Sequence, residues 1–189
     1  MPHGSGSRPP RKAVFLDRDG VVNVKLPEDH YVTDASEFVF LPGAFEALAM
    51  LKKLGFLLVL VTNQRGIARG MLTPDQLAAV HGFMQEELAG RGAALDSVYH
   101  CPHEVFENCG CRKPEPGMIL AARDDLGIDL AASFMVGDAP SDVAAGKNAG
   151  TKTVRIGIEN DDEADLTFPS LLDFAMFVQR RSGCFPREG

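Results

Sequence analysis

The chain has 189 residues, a length that suits one compact domain, and 45% of them are hydrophobic, which is enough for a sizeable core. Its net charge of −7 and its pI of about 5.2 argue against binding to nucleic acid or to an anionic membrane surface. No apolar run approaches the roughly 20 residues that a membrane-spanning helix needs. We therefore expect a globular protein without nucleic-acid or membrane partners.

Both ends of the chain are predicted to be tails outside the domain. Residues 1–11 are rich in Gly, Ser, Pro and basic residues, and no apolar segment of a secretory signal follows them. Residues 181–189 form the second predicted tail, which leaves 12–180 for the domain. The missing signal favours the cytoplasm, where the four cysteines are more readily thiols or metal ligands than disulfides.

Short apolar runs alternate with longer helical patterns along the domain. Residues 56–61 are apolar throughout, as expected of a parallel strand that is covered on both faces. Thr73, Pro74 and Gln76 have the pattern of a capping box with proline at the first helical position. The predicted strands are 13–16, 56–61, 97–101, 133–136 and 152–156. The predicted helices are 44–55, 73–88, 118–127, 141–150 and 171–180.

This alternation predicts an α/β fold of the Rossmann-like kind. Right-handed crossovers build a parallel sheet with helices on both faces. In such sheets, ligands bind at the carboxyl ends of the strands. Polar side chains follow four of the predicted strands: Asp17 and Asp19, Thr62 and Asn63, Arg112 and Lys113, and Asp138. We expect these side chains to form one site.

The first polar set contains two carboxylates. Asp17 and Asp19 stand two positions apart, so both side chains face the same way on an extended chain, while that of Arg18 points elsewhere. Gly20 lets the backbone turn directly afterwards. Adjacent carboxylates repel each other unless a cation or a proton lies between them, and Mg²⁺ is the usual cation for phosphate chemistry. With Asp138 as a third carboxylate, a magnesium site is favoured over a simple turn.

A second signature is the segment 101–111, CPHEVFENCGC. Its three cysteines and one histidine suit a tetrahedral Zn²⁺ site, and a site ligated only by protein is structural. The predicted ligands are Cys101, His103, Cys109 and Cys111. A role in packing is the alternative for these residues. Zinc would hold the loop and thereby place Arg112 and Lys113 at the rim of the site.

The ordered set of motifs resembles the haloacid dehalogenase (HAD) superfamily of phosphotransferases. The motifs are DRDG (17–20), TN (62–63), Lys113 and GDAPSD (137–142). The resemblance implies that Asp17 is a nucleophile that forms an aspartyl-phosphate. It also implies that Asp19 protonates the leaving oxygen and then activates water.

The same resemblance implies where phosphate and metal bind. The implied phosphate- and substrate-binding residues are Thr62, Asn63, Gln64, Arg112 and Lys113. Mg²⁺ would bind to Asp17, Asp138 and the backbone carbonyl of Asp19. Asp142 either forms a hydrogen bond near the metal or caps its helix, and the sequence leaves both alternatives open.

Within the superfamily, the zinc loop is similar to that of two groups, the heptose bisphosphate 7-phosphatases and the histidinol-phosphate phosphatases. The first group is favoured by TNQRGIARG (62–70), CRKPEPGM (111–118) and LAASFMVGD (130–138). The short zinc loop, Arg65 and Ala139 depart from its pattern.

We expect a phosphatase that removes the 7-phosphate of D-glycero-D-manno-heptose 1,7-bisphosphate during synthesis of a nucleotide-activated heptose. Hydrolysis of histidinol phosphate is the alternative activity. A non-catalytic binding module stabilised by zinc is an alternative of another class.

The spacing of the motifs leaves no room for a large cap domain. We therefore expect an open site, roofed by residues 24–38 and by the zinc loop. His30 and Tyr31 in the first loop are candidates for contact with the sugar, with a solvated loop as the alternative. His81, His100 and Cys184 have no motif spacing and are read as ordinary residues. No long apolar edge stands out, which favours a monomer.

Overall fold

The computed structural model describes residues 11–158 and 163–183. Residues 1–10 of the first predicted tail and 184–189 of the second lie outside the described residues. Arg11, the last residue of the first predicted tail, is attached to the domain, because its amide donates to Gly127 O at 3.2 Å and its carbonyl accepts from Asp129 N at 2.8 Å.

Six parallel strands form one sheet in the order β3-β2-β1-β4-β5-β6. The strands are β1 Ala13–Leu16, β2 Leu57–Asn63, β3 Ser97–Cys101, β4 Phe134–Gly137, β5 Lys152–Ile156 and β6 Leu166–Phe168. The α-helices are α1 Ala44–Lys53, α2 Pro74–Ala89, α3 Gly117–Leu126, α4 Pro140–Ala149 and α5 Leu171–Arg181. The predicted α/β class and its parallel sheet are confirmed. The sequence analysis missed β6, because three residues at a sheet edge are too few to show a period of two.

Helices cover both faces of the sheet, as predicted. Successive side chains of a strand point to opposite faces, so Val14 and Leu16 pack in one cluster with residues of α1, α2 and α5. Ala13 and Phe15 pack in the other cluster with residues of α3 and α4. This two-sided burial explains why the central strands are apolar at nearly every position.

Local signals in the sequence position the helices. Thr73 Oγ1 accepts from Gln76 N at 3.1 Å, and Gln76 Oε1 accepts from Thr73 N at 2.9 Å, which is the predicted capping box at the start of α2. Gly55 follows α1 with a φ of 82°, a left-handed conformation that favours glycine.

Within the part of the chain that the structure covers, no helix is both long enough and apolar enough to cross a membrane.

The topology fixes where a ligand can bind. Strands β1 and β4 are neighbours at the centre of the sheet, and the chain leaves β1 toward β2 on one side and β4 toward β5 on the other. Open parallel sheets bind ligands at such a switch point. The loop of residues 17–43 between β1 and α1 holds a single short 3-10 turn, Ala35–Glu37. Across 11–158 and 163–183 there is no separate cap domain, as the motif spacing predicted.

Two helical glycines give a matched test of this packing. A Cβ on Gly146 in α4 would lie 2.7 Å from Met135 Cβ and 2.8 Å from Thr153 Cγ2, both on the sheet, whereas a Cβ on Gly82 in α2 would meet nothing within 4 Å. We expect Gly146→Ala to lower the free energy of unfolding by about 1–3 kcal/mol through overpacking. Gly82→Ala should raise it by about 0.5–1 kcal/mol through helix propensity. Urea unfolding of both variants measures the difference, and equal effects would contradict the close contact of α4 with the sheet.

Candidate active site

The carboxyl ends of the central strands surround a cavity of about 490 Å³. The predicted residues that line it are Asp17, Asp19, Thr62, Asn63, Gln64, Arg112, Lys113 and Asp138. Asp17 follows β1, and its amide donates to Val136 O of the neighbouring β4 at 2.9 Å. The structure therefore brings together all the polar sets that the sequence placed at strand ends.

A buried lysine, Lys113, occupies the floor of the cavity, so the prediction that it lies at the rim beside Arg112 is wrong. Lys113 Nζ lies 2.8 Å from Asp17 Oδ1, 2.7 Å from Asp142 Oδ1 and 2.8 Å from Val61 O, so each ammonium proton has an acceptor. Burial alone lowers the pKa of Lys113, but the charges of Asp142 and Asp17 raise it above its ordinary value. Lys113 is therefore a permanent positive charge directly beside Asp17.

Asn63 contacts the main chain of Lys113. Its Nδ2 donates to Lys113 O, and its Oδ1 accepts from Lys113 N, both at 3.1 Å. Both ends of its amide thus position the lysine, so Asn63 lies in the predicted place but has its polar atoms engaged. Thr62 Oγ1 accepts from Gln64 Nε2 at 2.9 Å, which leaves the hydroxyl proton of Thr62 to be donated elsewhere.

Asp142 caps its helix, which is one of the two roles that the sequence left open, and it also pairs with Lys113. Its Oδ2 accepts from Ala139 N at 2.9 Å and so caps the start of α4, while its Oδ1 pairs with Lys113. Its side chain is 1% exposed. Asp142 thus links Lys113 to the start of α4, and one of its oxygens also lies within 4.8 Å of oxygens of Asp17 and Asp138.

The cavity fits a hard divalent cation. Oxygen atoms of Asp17, Asp138 and Asp142 lie within 4.8 Å of one another. Burial raises the pKa of Asp17 to about 7, with Lys113 opposing and Asp142 and Asp19 adding to the rise. Asp138 Oδ1 is buried and has no hydrogen-bond partner among residues 11–158 and 163–183. An oxygen-only donor set with an unsatisfied carboxylate oxygen is what Mg²⁺ prefers.

Two further residues shape this cation site. A Cβ at Gly20, whose φ is 92°, would lie 2.4 Å from Asp138 Oδ2, so only glycine fits between the turn and the carboxylate. Lys25 Nζ lies 2.6 Å from the same oxygen, although its side chain is 54% exposed. The sequence analysis gave Lys25 no role, because a lysine in a surface loop has no spacing that points to a site.

Asp19 is held by three side chains. Arg18 Nη2 lies 3.1 Å from both carboxylate oxygens and its Nε 3.3 Å from Oδ1, while Asn23 Nδ2 donates to Oδ1 at 3.0 Å and Gln64 Nε2 to Oδ2 at 3.1 Å. Burial alone raises the pKa of Asp19, but the charge of Arg18 and these hydrogen bonds lower it below its usual value.

The prediction that Arg18 points away from the site is wrong. Its side chain is buried, with 1% exposed, and its guanidinium folds back onto Asp19. The rule that alternate side chains face opposite ways holds only on an extended chain. Strand β1 ends at Leu16, and the amides of Val21, Val22 and Asn23 all donate to Arg18 O, so the backbone is already turning there.

The zinc loop has the geometry of a metal site. The Sγ atoms of Cys101, Cys109 and Cys111 lie 3.1 to 3.5 Å apart, and His103 Nδ1 lies 3.5 Å from Cys101 Sγ and 3.3 Å from Cys111 Sγ. These four atoms surround one point closely enough for a tetrahedral ion with metal–sulfur distances of about 2.3 Å. Arg112 Nη1 donates to His103 O at 3.2 Å, so the loop fixes this arginine at the cavity.

The roof of the cavity is held by ion pairs between three loops. Asp29 pairs with Arg65 at 3.1 Å and also with Arg69, and Arg69 pairs in addition with Glu104 of the zinc loop. Tyr31 packs on the loop after β2, because a Cβ at Gly66 would lie 2.8 Å from its ring. Residues 25–32 line the cavity, but only Val32 among them is buried, and His30 is exposed.

Comparisons with known proteins agree with this geometry. The profile of HAD-hydrolase-like domains matches residues 110–173. The D-glycero-beta-D-manno-heptose-1,7-bisphosphate 7-phosphatase of Yersinia pestis is 47% identical over 184 residues, covering 89% of this chain and 96% of the relative. The enzyme of the same name from Pasteurella multocida is 50% identical over 149 residues, covering 75% and 79%.

A solved structure is similar over the same range. The D,D-heptose 1,7-bisphosphate phosphatase from B. bronchiseptica, complexed with magnesium and phosphate, is 32% identical to this chain with a TM-score of 0.82. The match covers 90% of this chain and 99% of that structure. With near full-length relatives at this identity, the chain belongs to the heptose 1,7-bisphosphate phosphatase family of HAD-like hydrolases.

Proposed function

We propose that the chain is a Mg²⁺-dependent phosphatase that removes the 7-phosphate of D-glycero-β-D-manno-heptose 1,7-bisphosphate. The observation that carries the proposal is the floor of the cavity, where Asp17 lies beside the fixed charge of Lys113 and near Asp19 and Asp138. The β anomer follows the names of the relatives. A non-catalytic module has no use for a nucleophile, a proton donor and a buried lysine in one cavity.

The first half-reaction uses Asp17 as the nucleophile. Lys113 and the amide of Arg18 both contact its Oδ1, so Oδ2 is the oxygen that attacks phosphorus. A bond forms between Oδ2 and phosphorus, and the bond from phosphorus to the sugar oxygen breaks. The sugar oxygen takes a proton from the protonated form of Asp19 and leaves as a hydroxyl group. The charge of Arg18 disfavours this form by lowering the pKa of Asp19, whereas the negative charge of a bound phosphate favours it.

The second half-reaction returns the enzyme to its starting state. Water attacks the phosphorus of the aspartyl-phosphate and gives a proton to Asp19, while the bond from phosphorus to Asp17 breaks. Lys113 and the free hydroxyl proton of Thr62 stabilise the charge on the phosphoryl oxygens. Gln64 and Asn63 act on the phosphate indirectly. Gln64 donates hydrogen bonds to Asp19 and Thr62. Asn63 donates a hydrogen bond to the main-chain carbonyl of Lys113.

Metals complete the site. Asp17, Asp138 and the backbone carbonyl of Asp19 would hold Mg²⁺, whose charge offsets the repulsion between a carboxylate nucleophile and a phosphate. The magnesium in the B. bronchiseptica structure supports this assignment. Cys101, His103, Cys109 and Cys111 would hold a structural Zn²⁺. Location in the cytoplasm and a monomeric state stay predictions.

The nucleophile is tested by removing charge at constant shape. Asp17→Asn should abolish turnover, because an amide does not attack phosphorus, and Asp19→Asn should slow it by about 10²–10⁴-fold as proton transfer is lost. The control is Asp75→Asn, the same change at an exposed position in the first turn of α2. Phosphate release measures all three, and substantial activity in Asp17→Asn would show that water attacks the substrate directly.

The substrate is tested through Arg112. The second phosphate of a bisphosphate needs a cation at the rim, and a guanidinium binds phosphate with two parallel hydrogen bonds. Loss of such a contact is worth about 1.5–3 kcal/mol, so we expect Arg112→Ala to lower kcat/KM for the heptose bisphosphate about 10- to 100-fold. A small monophosphate should be nearly unaffected.

The same assay separates the two candidate substrates. The wild-type chain should hydrolyse the heptose bisphosphate with a higher kcat/KM than histidinol phosphate, and both anomers are compared. Arg123→Ala, which removes a half-exposed arginine paired with Asp124, serves as the control for the loss of a charge in Arg112→Ala. A preference for histidinol phosphate would replace the proposed substrate. If Arg112→Ala lowered kcat/KM equally for the heptose bisphosphate and for the small monophosphate, Arg112 would act at the reacting phosphate instead.

Zinc is tested by metal analysis. We expect about one Zn²⁺ per chain in protein purified without added zinc, because four protein ligands form a closed structural site. Cys109→Ser should lose the metal and raise KM, since the loop would no longer fix Arg112 through His103 O. Cys184→Ser, the same change outside the predicted ligand set, should keep the bound zinc and the KM of the wild type. Full activity in zinc-free protein would show that the four ligands are incidental to catalysis.

A further inference from the structure

Arg18 lies between Asp17 and Asp19 in the sequence and is buried, and the mechanism above assigns no role to its charge. The side chain of Arg18 is 1% exposed, and three of its nitrogen-to-oxygen contacts with Asp19 are 3.3 Å or shorter. Removing a guanidinium from water is unfavourable, so a buried one persists where it makes specific contacts. Here those contacts are with the carboxylate that moves protons.

The guanidinium of Arg18 also contacts a histidine, His81. Arg18 Nη1 lies 3.3 Å from Nε2 of His81, which is on α2. An arginine can only donate hydrogen bonds, so Nε2 is the acceptor and the ring is neutral with its proton on Nδ1. Burial, together with the charges of Arg18 and His100, lowers the pKa of His81 to about 3, against a smaller opposing effect of Asp19. The ring thus stays an acceptor in neutral solution.

This arrangement fixes the carboxylate of Asp19 in direction as well as in place. The planar fork of Arg18 sets the plane of the carboxylate, and Asn23 and Gln64 approach its two oxygens from other sides. Proton transfer requires the donor oxygen to lie within about 2.6–3.2 Å of the leaving oxygen, so small rotations of the carboxylate slow the reaction. His81 in turn keeps the guanidinium from rotating away.

We propose that Arg18 and His81 are positioning residues that hold the carboxylate of Asp19 for its two proton transfers. The proposal rests on the proposed phosphatase function and assigns both residues a task toward Asp19. Arg18 acts on Asp19 directly, and His81 acts on Asp19 through Arg18.

The first experiment compares leaving groups. The value of kcat/KM covers the steps up to loss of the leaving group. An alkyl phosphate such as the heptose bisphosphate needs a proton on its leaving oxygen, whereas p-nitrophenyl phosphate releases a stable anion. We expect Arg18→Gln to lower kcat/KM for the alkyl phosphate about 10- to 100-fold. The loss of kcat/KM for the aryl phosphate should be several-fold smaller, and Asp19→Asn should show the same difference between the two substrates. Equal losses on both substrates would overturn the proposal.

Graded variants separate positioning from folding. His81→Gln keeps an acceptor near the place of Nε2 and should retain most activity, while His81→Leu removes it and should lower kcat on the alkyl phosphate about tenfold without raising KM. His100→Gln is the matched control, because His100 packs near His81 with ring centroids 6.2 Å apart but is not bonded to Arg18 or Asp19. Loss of activity in His100→Gln as large as in His81→Leu would overturn the role of His81.

The decisive measurement is a double-mutant cycle on the two adjacent residues. If Arg18 acts through Asp19, adding Arg18→Gln to Asp19→Asn should change kcat/KM for the aryl phosphate by less than twofold. If the double variant loses activity by the full product of the two single effects, Arg18 acts elsewhere and the proposal fails. The proposed function would still stand in that case, because it is tested by phosphate release from the wild-type chain and from Asp17→Asn. An inactive wild-type chain, in contrast, would contradict the proposed function itself.

Discussion

The ammonium of Lys113 is the interaction on which the rest of the site depends. It lies between Asp17 and Asp142, donates its third proton to Val61 O, and is almost completely buried. A buried charge of this kind is stable only when every proton has an acceptor, so its partners are fixed as firmly as the lysine itself. Asn63 then holds the main chain of Lys113 from β2, and Asp142 caps α4. One cation thereby sets the relative positions of the ends of three strands.

Most of the fold and the grouping of the candidate site residues followed from the sequence for a physical reason. Strands that are covered on both faces are apolar throughout, so polar residues at their ends, such as Asp17 and Asp138, stand out. The capping box of α2 is local and was correct at each residue. The ligand spacing of Cys101 and Cys111 is also local, and the structure brings these residues together with His103 and Cys109.

What the sequence did not reveal depends on contacts between distant segments or on a change of backbone direction. Arg18 folds back because the chain turns directly after β1, and period-two reasoning does not extend past the end of a strand. His81 reaches Arg18 from α2, 63 residues away, without any motif. Lys25 meets Asp138 across 113 residues. Asn63 was placed correctly at the cavity, but no pattern in the sequence indicates that its amide binds the main chain of Lys113.

The ion pairs above the cavity have a consequence for how the entrance behaves. Arg69 neutralises Asp29 in the loop after β1 and Glu104 in the zinc loop at the same time. Moving either carboxylate away breaks one of these ion pairs, so Arg69 links the movements of the two loops, and Arg65 is a second counter-charge for Asp29. Because 57% of the Asp29 side chain is exposed, this link between the loops weakens as ionic strength rises, so salt alters the entrance of the cavity.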